Sequence, residues 1–341
     1  MIVRKMLSVK AIYEFTGYHL WWLTGWMSLV AVLYHFTECR LMALPWLPLP
    51  LIGTAVAFYV GFKNNQSYDR LWEARKIWSE MTNSSRRLGT LARNTRSGEL
   101  DVSDSVEVRR QIVFRHIAYI YQLRNQLLEP TPWEHVSLKG IFGLGKINRL
   151  RRARLAAIFE NELQEAAGRE YISEVESDQL KEYQNAAVQL LNLQTETIQK
   201  LYERKEITMI QQMQFQTAVN SFYDCQGNLE RIKQSPLPRK YATFSFVFVC
   251  IFIFLLPFGI VGEFGKMGAA GVWLAIPVGA IIGWIFVAME MTGDYSENPF
   301  EGLHNDTPML SICREIEINM LQTIGEKDIP RPIQARGDTI I

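Results

Sequence analysis

A chain of 341 residues with 36 Lys+Arg against 35 Asp+Glu carries a formal net charge of +1. That removes the first reason to expect nucleic-acid binding, which requires a concentrated basic surface. Its four cysteines (Cys39, Cys225, Cys250, Cys313) lie far apart with no CxxC, so neither a disulfide framework nor a structural zinc site is expected. Apolar residues make up 48% of the chain and are distributed very unevenly.

Four stretches contain no Asp, Glu, Lys or Arg: 15–37, 41–62, 241–262 and 267–289. Each meets the roughly 20 apolar residues that a spanning helix needs. Trp21, Trp22 and Trp26 in the first, and Trp273 and Trp284 in the fourth, suit the headgroup level. The first stretch is too long for a secretory h-region and ends without a small-residue cleavage pattern, so it reads as a permanent span. Basic residues crowd residues 1–18, 63–96 and 231–240, whereas the connections 38–40 and 263–266 are short. The positive-inside rule then puts both termini and the long middle segment in the cytoplasm of a multi-pass protein of the inner (plasma) membrane. The expected organisation is a cytosolic segment 1–14, a first hairpin 15–62, a cytosolic region 63–240, a second hairpin 241–289 and a cytosolic tail 290–341.

Within the middle region, residues 105–128 and 154–234 are rich in Leu, Ala, Gln, Glu and Arg and read as helix. Leu180, Ala187, Leu191 and Ile198 give an amphipathic pattern. Breaks are expected at Pro130-Thr-Pro132 and at Lys139–Gly145. The cluster Arg149-Leu-Arg151-Arg152-Ala-Arg154 reads as a surface helix start facing lipid phosphate or solvent. Residues 325–341, with two prolines and Gly337, read as a flexible tail.

Catalytic motifs are missing. There is no P-loop, Rossmann glycine fingerprint, GxSxG or HExxH, and no two of the five histidines sit at i,i+3 or i,i+4. No enzyme, cofactor or metal is expected. The acids after the fourth stretch (Asp294, Glu297, Glu301, Asp306) with His304 read as a solvated turn rather than a cation site.

The second stretch stands apart. Thr54, Phe58 and Phe62 at i, i+4 and i+8 form one stripe, with Gly53, Ala55, Ala57 and Gly61 beside it to allow close helix approach. Symmetric helices carrying such a stripe around an axis would make a hydrophobic constriction.

The run Gly61-Phe62-Lys63-Asn64-Asn65-Gln66-Ser67-Tyr68-Asp69-Arg70-Leu71-Trp72-Glu73 resembles the signature of prokaryotic bestrophins. Ser235-Pro-Leu-Pro238, Gly293-Asp294 through Glu297-Asn-Pro-Phe300, and Ile316-Glu-Ile-Asn319 agree in order. The resemblance implies an all-α membrane protein with four spans per subunit, a large helical cytosolic region and a homopentamer around one pore. It implies a neck on Thr54, Phe58 and Phe62, where the Thr54 hydroxyl makes the outer turn more wettable than the usual apolar residue. A cytosolic aperture falls on Ile210, with Met209 as the competitor, on a helix that Thr208 caps. A vestige of the animal calcium clasp falls on Asn298 and Asp306, with too few acids for calcium-dependent opening. The implied partners are permeating monovalent ions and membrane lipid. The family points to chloride, while the acids after the fourth stretch leave a cation such as sodium open. The alternative is a membrane-anchored helical scaffold without conduction.

Overall fold

A computed structural model describes residues 1–37, 43–95, 102–137 and 144–341. The chain runs α1 (Val9–Ile12), a π-helical turn (Tyr13–Gly17), α2 (His19–Thr37), α3 (Pro48–Asn94), α4 (Val102–Leu127), α5 (Leu144–Ile158), α6 (Glu160–Gly168), α7 (Glu174–Leu180), α8 (Ala186–Glu203), α9 (Met209–Gln234), α10 (Arg239–Gly265), α11 (Ala269–Ser296) and α12 (Met309–Ile324). Among the described residues the only β-type pairings outside helices are the isolated bridges Ile2–Thr339 and Arg336–Thr339.

The chain divides into two compact units. One comprises Arg4–Arg70 and Pro236–Glu297 and holds α2, α10 and α11, which pack on one another, and the first part of α3. Helices α10 and α11 are long and apolar enough to cross a membrane by length and composition. Their core joins Leu23, Met27 and Val30 of α2 to Leu256, Ile260 and Ala280. Small residues permit the close approach: a Cβ on Gly283 would sit 3.0 Å from Leu23 Cδ2, and one on Gly53 2.9 Å from the Phe252 ring. Gly61, by contrast, faces open space, so it is not part of this packing.

The expected span 41–62 differs. Residues 41 and 42 lie outside the described residues, and helix begins only at Pro48, whose missing N–H costs nothing in a first turn. From there to Phe62 is roughly 22 Å of helix at 1.5 Å per residue, short of the ~30 Å hydrocarbon layer. The helix then continues through polar sequence to Asn94.

The other unit comprises Met1–Val3, Leu71–Ser235 and Asn298–Ile341. Its core gathers Trp78, Met81, Ile117, Leu190, Phe222 and Met320 from five helices. The pattern residues Leu180, Ala187, Leu191 and Ile198 are all buried, but Leu180 belongs to α7 and the others to α8. The helical reading of 154–234 therefore overlooked four interruptions, at Phe159 and, more widely, at 169–173, 181–185 and 204–208. Ser173, Asn185 and Thr208 each accept a backbone N–H there and open a new helix. The break after α4 at Pro130-Thr-Pro132 is observed, whereas the break at Lys139–Gly145 falls mostly outside the described residues.

Two further expectations are corrected. The basic cluster does not simply face outward. Arg149 Nη1 donates to Val136 O at 2.7 Å and Arg152 Nη2 to Leu128 O at 2.8 Å, satisfying carbonyls at and beyond the end of α4. Residues 325–341 are not a free tail. Ile333 is buried with Leu155, Phe159 and Leu310. Ile340 N–H donates to Met1 O and Val3 N–H to Asp338 O, both at 2.9 Å, and Arg336 donates to Ile158 O and Glu162.

Candidate functional site

On the first part of α3 the buried positions are Leu49, Gly53, Val56, Val60, Lys63 and Ser67, three or four apart, so one face is spent on the unit's core. The predicted stripe lies on the other side. Phe58 and Phe62 are 67% and 64% exposed, and Thr54 is exposed with them. Two large aromatic side chains turned away from the other described residues form an apolar ridge. Thr54 Oγ1 donates to Pro50 O at 2.8 Å, so its only donor is bound to its own helix. The ridge at Thr54 is drier than a free hydroxyl would make it.

Directly after Phe62 the chain buries a charge. Lys63 is 1% exposed and its Nζ lies 2.5 Å from Glu290 Oε1 and 3.6 Å from Asp294. Ser245 Oγ donates to the other oxygen, Glu290 Oε2, at 2.6 Å. Three helices, α3, α10 and α11, thus meet on one hydrogen-bonded ion pair, the condition under which buried charges are tolerated. Sequence reasoning missed this pair. Its signals were the lysine abutting the aromatic stripe and Glu290 closing an uncharged run.

The same surface explains why the signature motifs occur together. Asn64 Nδ2 donates to Met289 O at 3.0 Å, and Arg70 Nε to Glu297 O at 2.9 Å. Leu237 N–H donates to Glu297 Oε1 at 3.0 Å, with Arg239 at 3.4 Å from that oxygen. Burial pushes the Glu297 carboxyl up, and the Leu237 N–H, Arg239 and Arg70 pull it back. Gly293 lets Asn64 approach closely, since a Cβ there would fall 2.0 Å from Asn64 Oδ1 and would displace that side chain. The Gly61–Glu73, Ser235–Pro238 and Gly293–Phe300 motifs therefore contribute facing partners to one joint.

The acids after α11 are not a solvated turn. Glu297, Asn298, Glu301 and Asp306 are all buried. Asn298 Oδ1 accepts the Phe300 N–H, and Asp306 Oδ2 accepts the Leu303 N–H at 2.9 Å. Glu301 Oε1 lies 3.0 Å from His135 Nδ1. Burial raises the Asp306 carboxyl to about 7, against the pull of the Leu303 and Gly302 N–H groups. Among the described residues no three His, Cys, Asp or Glu side chains are grouped to hold a metal ion. Asn298 and Asp306 serve the loop's own backbone, so the geometry gives them a structural task.

Ile210 lies in the first turn of α9. Thr208 caps that helix, with Thr208 Oγ1 accepting the Gln211 N–H and Gln211 Oε1 accepting the Thr208 N–H. Ile210 is 70% exposed, and Met209 and Met213 beside it are exposed too, whereas Ile207 is buried. The cap opens an apolar turn that is exposed among the described residues.

Comparison with known proteins follows the same lines. A family model described as "Bacterial/Fungal Bestrophin protein" matches residues 19–322. The voltage-dependent anion channel-forming protein RSc3414 of Ralstonia nicotianae is 28% identical over 318 residues, covering 91% of this chain and 88% of that protein. The voltage-dependent anion channel-forming protein YneE of Salmonella typhi is 25% identical over 283 residues, covering 83% and 78%. A crystal structure of a bacterial bestrophin homologue from Klebsiella pneumoniae aligns with a TM-score of 0.72 at 22% identity, over 91% of this chain and 99% of that one, which shows a common fold. With the family model spanning most of its length, the chain belongs to the bacterial and fungal bestrophin family.

Proposed function

We propose that this chain is the subunit of a passive ion channel, a homopentamer in the inner membrane with both termini in the cytoplasm. In this reading α2 and the first part of α3 join α10 and α11 as four spans. Residues 63–240 and 290–341 form the cytosolic region. The observation that carries the reading is the exposed ridge of Thr54, Phe58 and Phe62. Its side chains stand exposed among the described residues, and copies of α3 around an axis would bring them together as a neck that gates by dewetting. The outward turn at Ile210 suits a second, cytosolic aperture in the same way.

Anions are the favoured cargo. Relatives are named as voltage-dependent anion channel-forming proteins. The argument for cations drew on the acids after the fourth stretch, and of those Glu297, Glu301 and Asp306 are buried and engaged, while Asp294 is partly exposed beside Lys63. The aromatic ridge is compatible with anions, whose charge meets the positive ring edge. A membrane-anchored scaffold would leave the ridge without a task.

The test is the reversal potential of the purified protein in a planar bilayer under asymmetric NaCl, with Phe58→Ala and Phe62→Ala in parallel. Current reversing toward the chloride potential, with conductance altered in both variants, is expected. Silence in all three proteins overturns conduction, and reversal toward the sodium potential overturns the anion assignment.

A further inference from the structure

The basic residues of α4 and α5 surround a feature that conduction leaves unused. Within the unit holding Leu71–Ser235 and Asn298–Ile341 lies a cavity of about 280 Å³. Its walls are largely apolar, with Leu128, Leu155 and Leu310 prominent, and its polar lining includes Arg124, Arg152 and Asp306. That volume is at the lower end of the ~300–1,000 Å³ typical of small-molecule sites.

The charges there are not balanced. Arg152 spends one nitrogen on Leu128 O, and Arg124 Nη1 donates to Asn125 Oδ1 at 3.1 Å. Neither arginine makes an ion pair with a carboxylate among the described residues. Arg124 Nε is buried with no hydrogen-bond partner. Burial disfavours the charged form of Arg124, and the neighbouring charge of Arg152 works in the same direction. Gly302, at φ +76°, keeps the wall open: a Cβ there would stand 3.3 Å from Arg152 Nε and 3.4 Å from Leu128 Cδ2. The one acidic side chain in the lining, Asp306, is raised to about 7 by burial and is a weak counter-charge near neutrality; Met1, whose amino group burial lowers to about 6, and Ile341 also line the cavity.

We propose that this cavity binds a small monocarboxylate with a short apolar tail, the carboxylate held by Arg124 and Arg152. Guanidinium groups match carboxylate geometry and are preferred for partly desolvated ion pairs. A bare inorganic anion would leave the leucine walls without a partner, and a polyphosphate would bring more acceptors than two arginines satisfy. Protonated Asp306 would add an O–H donor to the carboxylate rather than repel it.

The probe is radiolabelled hexanoate in equilibrium dialysis against the full chain in lipid nanodiscs, with empty nanodiscs subtracted. One saturable site per chain is expected, weakened on the order of tenfold in Arg124→Gln, and weakened likewise by Ala156→Leu, which adds bulk to the cavity wall. Hexanol and hexylammonium should fail to compete. Tetradecanoate competing better than hexanoate would support the site with a membrane fatty acid as the source. Weaker competition would support a soluble carboxylate. No saturable hexanoate above empty nanodiscs overturns the proposal. So does competition by hexanol equal to that by hexanoate, or unchanged affinity in both variants. The readout is binding rather than current, so it stands apart from conduction.

Discussion

Removing Lys63 should destabilise the protein far more than removing a surface lysine. Its ammonium and the Glu290 carboxylate are both almost wholly buried, 2.5 Å apart. In Lys63→Met, Glu290 keeps Ser245 as its hydrogen-bond donor and loses its counter-charge. Breaking a buried pair in this way costs ~3–5 kcal/mol. Glu290→Met should cost less, because Asp294 stands 3.6 Å from Lys63 and is partly exposed, so it can take up part of the charge. The double variant Lys63→Met/Glu290→Met leaves no orphaned charge and should recover most of the loss, giving a coupling energy on the order of 2–3 kcal/mol. At roughly 2–4 °C per kcal/mol for a chain of a few hundred residues, Lys63→Met should lower the melting temperature by about 10 °C. The assay is tryptophan-monitored melting of the four purified proteins in one detergent at one scan rate. Single variants melting within about 1 °C of the parent would refute the reasoning, as would losses that simply add in the double variant.

Asp306→Asn tests the loop after α11. Burial raises the carboxyl to about 7 in the folded state from its ordinary 3.8, so the folded state holds its proton more tightly than the unfolded chain. That contribution is fully present below the unfolded pKa and is lost as pH rises to about 7, by roughly 4 kcal/mol at most. The asparagine variant should therefore gain stability over the parent between about pH 4 and about pH 7 and hold that gain above it, and an advantage that shrinks with rising pH would contradict the assignment. Thr208→Ala removes half of the α9 capping box and should cost about 1 kcal/mol, read as a lower melting temperature, with Thr208→Ser largely restoring it. Gly293→Ala places a methyl group against Asn64 and should cost about 1–3 kcal/mol unless Asn64 gives up its bond to Met289 O. Melting curves of Gly293→Ala and Asn64→Ala/Gly293→Ala distinguish a clash from a local strand of lost hydrogen bonding. Phe58→Ala and Phe62→Ala should change conductance while leaving the melting temperature within about 1 °C, because both side chains are exposed in the chain.

Much of this protein was legible along the chain. Helical class follows from composition and from three- and four-residue apolar spacing. The stripe Thr54, Phe58 and Phe62 follows from helical period alone, and the Thr208 cap from a side chain placed just before its helix. Each depends on neighbours within a turn or two, where backbone geometry dictates which side chains share a face. What the sequence could not show is which faces meet. Lys63 and Glu290 are separated by 227 positions, and nothing local to either announces the other. Arg152 reads as a surface charge until Leu128 O is placed beside it, and residues 325–341 read as loose until Ile333 has a core to enter. The acids after α11 read as solvated because acids usually are. Only the folded backbone supplies the Leu237 and Leu303 N–H groups that make their burial tolerable. Local periodicity is a property of the sequence, whereas the pairing of distant charges and carbonyls is set by packing in three dimensions.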